Sequence, residues 1–143
     1  MKINQHVDMI ETRKLYRLEY LFPPEKDSSM RSLVTLGHHI WEQESKDMKM
    51  LPVIVAGQGS YFGDKWTSFC FKLRGEPAKI ILSRGQRKRS VLIHEITHAL
   101  GIWNHGPKFI KRYFDLLVKY DNYNYDFLLL TAHSVNINLE KLK

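Results

Sequence analysis

The stretch "RSVLIHEITHALGIW", residues 89–103, constrains the fold more than any other part of the chain. Residues 86–100 are predicted to form a helix that is apolar on nearly every side, and such a helix has to lie in a core. The same helix carries His94, Glu95 and His98. Burying two imidazoles and a carboxylate without partners would cost several kcal/mol. A bound metal ion would remove this conflict.

The spacing of these residues fits a metal site. His94 and His98 are four residues apart, so both rings project from one helix face and can share an ion. Glu95 is rotated from His94 by about 100°. In the HExxH arrangement, this offset holds the carboxylate near the metal-bound water and not among the ligands.

A catalytic zinc site needs a third protein ligand, and His105 is the natural candidate. On a straight helix His105 would lie about 10 Å beyond His98, too far to share an ion. The chain is therefore predicted to reverse after His98. Gly101 permits the reversal, and Gly106 with Pro107 begins the next helix. Asp115 and Glu140 are poorer ligand candidates.

The remaining pattern predicts an α+β fold with a small, mostly antiparallel three-stranded sheet packed against helices that include the HExxH helix. Pro23 and Pro24 end a helix over residues 11–22, and Ser28 or Ser29 caps a second helix that runs to about residue 45. The short "RGEP" loop makes the last two strands antiparallel neighbours. The predicted strands are residues 51–56, 66–73 and 78–83, and the last two helices cover residues 107 to about 120–124 and 125–133.

Length and composition favour one domain over residues 1–143, since 43% of the residues are apolar. No apolar run approaches the roughly 20 residues that cross a bilayer, so we expect a soluble, cytoplasmic protein without membrane contact. Cys70, the single cysteine, is expected to be a buried small hydrophobe, as Phe109 and Tyr113 are expected to pack in the core. Surface or core-edge positions are expected for four other histidines: His6, His38, His39 and His133.

The net charge of +7 favours acidic partners. The densest basic cluster directly precedes the apolar run that contains His94, at the N-terminal end of the predicted helix, where the helix dipole disfavours cations. A nucleic-acid contact and a solvated turn both remain open for this cluster. It consists of Arg84, Arg87, Lys88 and Arg89.

The stretch "HEITHALGIWNHGPKF" resembles the SprT-like zincin metallopeptidases, in which HExxH is followed by a short connection and then by HG and an aromatic residue. It is still more similar to small metallohydrolases encoded by phages and actinobacteria. These share an arginine, tyrosine and glutamate element, which matches Arg13, Tyr16 and Glu19 here. The resemblance implies a zincin-like minimal metalloprotease domain, in the host cytoplasm if phage-encoded. It also implies Zn²⁺ ligands at His94, His98 and His105, with Glu95 as the general base.

Two classes of function remain open. The first is a zinc-dependent peptidase, whose substrate would add to an edge of the sheet and whose oxyanion donor would be Tyr113 or another tyrosine. The second is a basic protein that binds nucleic acid or blocks a partner, with a structural or vestigial zinc. The chain lacks the four-cysteine ribbon of many SprT-like proteins. It does not match the metzincin pattern, because His105 comes one residue late and no methionine follows it.

Overall fold

The computed structural model describes residues 5–46, 50–58, 60–62, 65–138 and 140. Its described part is an α+β fold with five helices and a small three-stranded mixed sheet. The chain divides into two compact units. One consists of the segments Met1–Pro24 and Ile102–Lys143, and the other is Glu25–Gly101. The single domain expected from the length stays a prediction.

The Glu25–Gly101 unit contains the sheet, in the order β1-β5-β4. Its strands are β1 Val53–Gly57, β4 Phe69–Phe71 and β5 Lys79–Ser83. The β4 and β5 strands pair antiparallel, as the short loop between them predicts. The β1 strand pairs with β5 in parallel, so the expectation of a mostly antiparallel sheet is wrong. Parallel partners need a long connection, which leaves no turn signal in the sequence.

The predicted strand over residues 66–73 is divided at Ser68. Lys65–Thr67 forms β3, which pairs antiparallel with β2, Ser60–Phe62, in a separate two-stranded sheet. Between β3 and β4, the Ser68 amide donates to Gln86 Oε1 at 2.9 Å, and the Ser68 hydroxyl accepts from the Ser83 amide at 2.9 Å. At Ser68, hydrogen bonds that involve side chains take the place of the backbone pairing between strands. The β2 strand was not predicted, because the glycines around it are typical of a turn.

Two helices, α2 Met30–Glu44 and α3 Arg89–Ala99, pack against this sheet. Ser29 caps α2 by accepting a hydrogen bond from the Ser32 amide at 3.1 Å, which confirms the predicted start. A Cβ at Gly37 would collide with Cδ1 of Ile54, so glycine permits the close approach of helix and strand. The buried apolar residues of this unit include Leu33, Ile40, Ile54, Ile80, Leu82, Leu92, Ile93 and Ile96.

The other unit contains α1 Gln5–Tyr20, α4 Pro107–Asp121 and α5 Tyr125–Ser134. The α1 helix begins earlier than predicted but ends before Pro23, as expected. The α4 helix has Pro107 in its first turn and ends at Asn122, whose φ of 56° is left-handed. The buried apolar residues include Leu15, Leu18, Phe109, Ile110, Tyr113, Phe114, Leu116, Leu117 and Leu128. Over the described residues, no helix combines the length and apolarity needed to cross a membrane.

Candidate metal centre

The α3 helix is buried around its whole circumference in its central and last turns. Every residue from 92 to 99 is buried, which confirms the prediction from its apolar sequence. Three of these positions are polar and ionisable: His94 is 6% exposed, Glu95 5% and His98 8%. Thr97 is also buried, but its hydroxyl donates to the Ile93 carbonyl at 2.8 Å within the helix. The burial of two imidazoles and a carboxylate on one helix is therefore the feature to be explained.

The two imidazole rings on α3 lie next to each other. Their centroids are 5.1 Å apart and their planes are inclined at 68°, as the four-residue spacing predicts. The Glu95 carboxylate lies beside this pair, with Oε1 at 3.8 Å from Nε2 of His94. A carboxylate and two ring nitrogens thus occupy a small, dry region of the core.

The α3 helix ends at Ala99, directly after His98. The Leu100 amide donates to the Ile96 carbonyl at 2.9 Å, and the Gly101 amide donates to the His98 carbonyl at 2.8 Å. Gly101 has φ 107°, a backbone conformation that side chains with a Cβ rarely adopt. Gly101, the glycine predicted to permit a reversal, thus directly follows Leu100, the C-cap of α3.

His105 lies in the loop before α4, where three neighbours surround its ring. Nδ1 is 2.8 Å from Oγ1 of Thr12 on α1. The ring of Phe109 packs edge-on at a centroid distance of 5.1 Å, and the ring of Tyr16 lies at 6.4 Å. The Thr12 hydroxyl thus contacts Nδ1 of this ring. No local pattern predicts that Thr12 is part of this environment, because it lies 93 residues from His105 in the chain.

The three predicted ligands come together. His94, His98 and His105 each offer one ligand nitrogen, and these nitrogens all lie within 4.8 Å of one another. The three histidines are therefore close enough to bind a metal ion. Their imidazoles suit zinc, copper, iron or nickel.

Cys70 lies on β4, a strand that packs against α3. The charge of Glu95 on α3 influences its thiol. Burial raises the pKa of the Cys70 thiol from 9.0 to about 12, and the negative charge of Glu95 adds to this shift. A thiol with this pKa stays protonated at neutral pH and is a poor metal ligand. Cys70 was expected to be a buried small hydrophobe. Its protonated thiol fits this expectation, but its side chain is only partly buried.

The other side chains considered in the sequence either make hydrogen bonds of their own or are exposed. The Tyr113 side chain is buried, and its hydroxyl donates a hydrogen bond to Glu19 Oε2 at 2.8 Å. This bond makes Tyr113 a poor candidate for the oxyanion donor. Nε2 of His38 lies 3.0 Å from the Pro52 carbonyl. Exposed positions are occupied by Arg13, His39, Asp115, His133 and Glu140. The side chain of His6 lies outside the described residues.

The basic cluster stays accessible at the start of α3. Arg84 and Arg89 are exposed, and Arg87 and Lys88 are half-buried. Within the described part of the chain, no ion pair involves Arg84, Arg87 or Lys88. In the first turn of α3, the Ser90 amide donates a hydrogen bond to Glu25 Oε2 at 3.3 Å. The negative charge of Glu25 also suits the positive end of the helix dipole.

No protein-family model, curated protein or solved structure matches the chain. The resemblance of the histidine motif to SprT-like metallopeptidases therefore stays an expectation. The chemistry of the metal centre has to be inferred from its own side chains.

Proposed function

We propose that this protein is a zinc-dependent metallohydrolase of zincin-like fold that cleaves peptide bonds, with Glu95 as the general base. The observation that carries the proposal is the burial of His94, Glu95 and His98 on one apolar helix, with a nitrogen of His105 within reach of the other two imidazoles. Histidine is the commonest metal ligand in proteins, and three imidazoles this close together suit a single ion.

The roles of these residues follow from the chemistry of their side chains. The three imidazoles would hold the ion, because neutral ring nitrogens are the common ligands of catalytic zinc. Zinc supplies Lewis acidity, which activates water and polarises a carbonyl group. Glu95 takes the proton of the attacking water and returns it to the leaving amine. Its carboxylate lies beside His94 and is offset around the helix from the ligand face, which suits a base better than a ligand.

A peptide substrate would be held by strand addition. In the described part of the three-stranded sheet, β1 and β4 are the outer strands, and β4 is one of the two strands against which α3 packs. An extended peptide paired with the outer edge of β4 would run alongside the helix that carries Glu95. Main-chain pairing of this kind accepts many side chains, so we expect broad sequence tolerance.

The test compares zinc-loaded wild type with Glu95→Gln on a quenched fluorescent peptide library. General-base catalysis contributes typically 10²–10⁴-fold, so we expect the variant to lose about that factor in kcat while it keeps its zinc. Glu42→Gln, an exposed change on α2, is the matched control and should keep full activity. Undiminished cleavage by Glu95→Gln, or no cleavage by the wild type, would contradict the proposal.

The exposed basic cluster supports a second candidate, a nucleic-acid contact. Arg84, Arg87 and Lys88 make no ion pair among the described residues, so their charges are available to phosphates. Binding of duplex or single-stranded DNA should then weaken steeply with salt. Replacing all four basic residues with glutamine should abolish it, whereas Glu95→Gln should leave it intact. Binding that does not respond to salt would count against this candidate.

A further inference from the structure

A threonine on α1 contacts the histidine that comes after the α3 reversal. Thr12 and His105 are 93 residues apart in the chain, yet Oγ1 of Thr12 lies 2.8 Å from Nδ1 of His105. We infer that Thr12 is a positioning residue of the metal centre, which holds the His105 ring with Nδ1 engaged and Nε2 directed to the metal. This inference rests on the proposed function.

The chemistry of the imidazole explains why this one bond matters. A histidine that binds a metal through Nε2 carries its proton on Nδ1, and that N–H needs an acceptor. The Thr12 hydroxyl oxygen is an acceptor at hydrogen-bond distance. In the metal-bound state, Nδ1–H therefore donates to Oγ1. The hydroxyl can accept this bond, so it holds the ring in an orientation that is compatible with metal binding through Nε2.

His105 needs such support more than the other two ligands do. His94 and His98 lie on a regular helix surrounded by core, whereas His105 lies in the loop before α4 and is only half-buried. Phe109 and Tyr16 pack against its ring, but ring contacts of this kind do not distinguish one ring nitrogen from the other. The hydroxyl of Thr12 provides that distinction.

The helix that carries Thr12 is firmly attached to its own unit. Leu15 and Leu18 are completely buried. Glu19 accepts from the Tyr113 hydroxyl at 2.8 Å, and Lys14 Nζ donates to the Asn136 carbonyl at 3.0 Å. A hydroxyl on an anchored helix can hold a loop histidine in one orientation, which is the requirement for an outer support of a metal ligand.

The test is a zinc affinity measured by competition with a chromogenic chelator on the full chain. Thr12→Val keeps the shape and β-branching but removes the hydroxyl, and such losses typically cost 10–100-fold in metal affinity. Thr12→Ser keeps the hydroxyl and should bind zinc within about threefold of wild type. Thr131→Val is the matched control: its hydroxyl bonds to Phe127 O at 2.7 Å within α5, so its loss should not change zinc affinity.

A second readout comes from Co²⁺ in place of zinc, because its visible absorption depends on ligand number and geometry. We expect Thr12→Val to change this spectrum and Thr131→Val to leave it unchanged. Folding of each variant is checked by its far-ultraviolet circular dichroism. Should Thr12→Val fail to fold, Thr12→Ala is measured in the same way and judged by the same criteria.

The outcomes separate this inference from the proposed function. Wild-type zinc binding with equal affinity in Thr12→Val would overturn the role of Thr12 and leave the metallohydrolase proposal standing. An equal loss in Thr12→Ser and Thr12→Val would also overturn it, because serine retains the acceptor. A wild type that binds no zinc would overturn both.

Discussion

The imidazole rings of His94 and His98 lie one helical turn apart on α3, with their centroids 5.1 Å from each other and their planes inclined at 68°. Both side chains are more than 90% buried. An ion bound by one nitrogen of each ring would stabilise the folded chain, because the unfolded chain does not hold the two rings together. The stability of the α3 core should therefore depend on metal.

Removal of the metal should lower the melting temperature of the wild type. An ion present at 100 times its Kd stabilises a protein by about 2.7 kcal/mol, which corresponds to roughly 5–10 °C for a chain of this size. EDTA should produce this decrease in the wild type and in His39→Ala, an exposed control on α2. It should have no effect on His98→Ala. An equal response of His98→Ala to EDTA would contradict a role for His98 as a ligand.

Gly101→Ala should weaken both the fold and the metal site. Gly101 has φ 107°, so alanine would introduce strain that we expect to cost about 1 kcal/mol or more and to disturb the reversal after His98. Gly75, at φ 79° in the turn between β4 and β5, is the matched control. Denaturant unfolding should show a loss of stability in both variants, while zinc titration should show weaker binding only in Gly101→Ala. Equal zinc affinities would show that the reversal does not depend on this glycine.

The thiol of Cys70 should make the fold sensitive to alkali. Its pKa is raised from 9.0 to about 12 in the folded protein, so the thiolate favours the unfolded chain. This contribution to stability is fully present below pH 9.0 and is lost progressively as the pH rises towards 12. Between about pH 8 and pH 10, the free energy of unfolding should decrease more in the wild type than in Cys70→Ala. Parallel pH profiles would show that the thiol ionises as easily in the folded protein.

Local patterns in the sequence were enough to predict α3 and the three histidines that lie close together. The burial of α3 follows from apolar residues on all its sides, and the start of α4 at Pro107 follows from the Gly106 and Pro107 pair. The cap at Ser29 is equally local. In each case the signal lies within a few residues of the structure that it predicts.

The features that sequence analysis missed depend on contacts between distant residues. The parallel pairing of β1 with β5 joins strands that no short turn connects. The strand break at Ser68 depends on Gln86 and Ser83. The contact between Thr12 and His105 spans most of the chain. Each of these is set by tertiary packing, which overrides local propensity.

The most direct test of the metal centre is the zinc content per chain, measured by elemental analysis on wild type and His105→Ala purified without chelator. The proposal predicts about one zinc per wild-type chain, the stoichiometry of a mononuclear three-ligand site, and a marked loss in the variant. His133→Ala, an exposed histidine on α5, should match the wild type. A wild type without zinc under zinc-replete conditions, or full zinc content in His105→Ala, would contradict the three-histidine site.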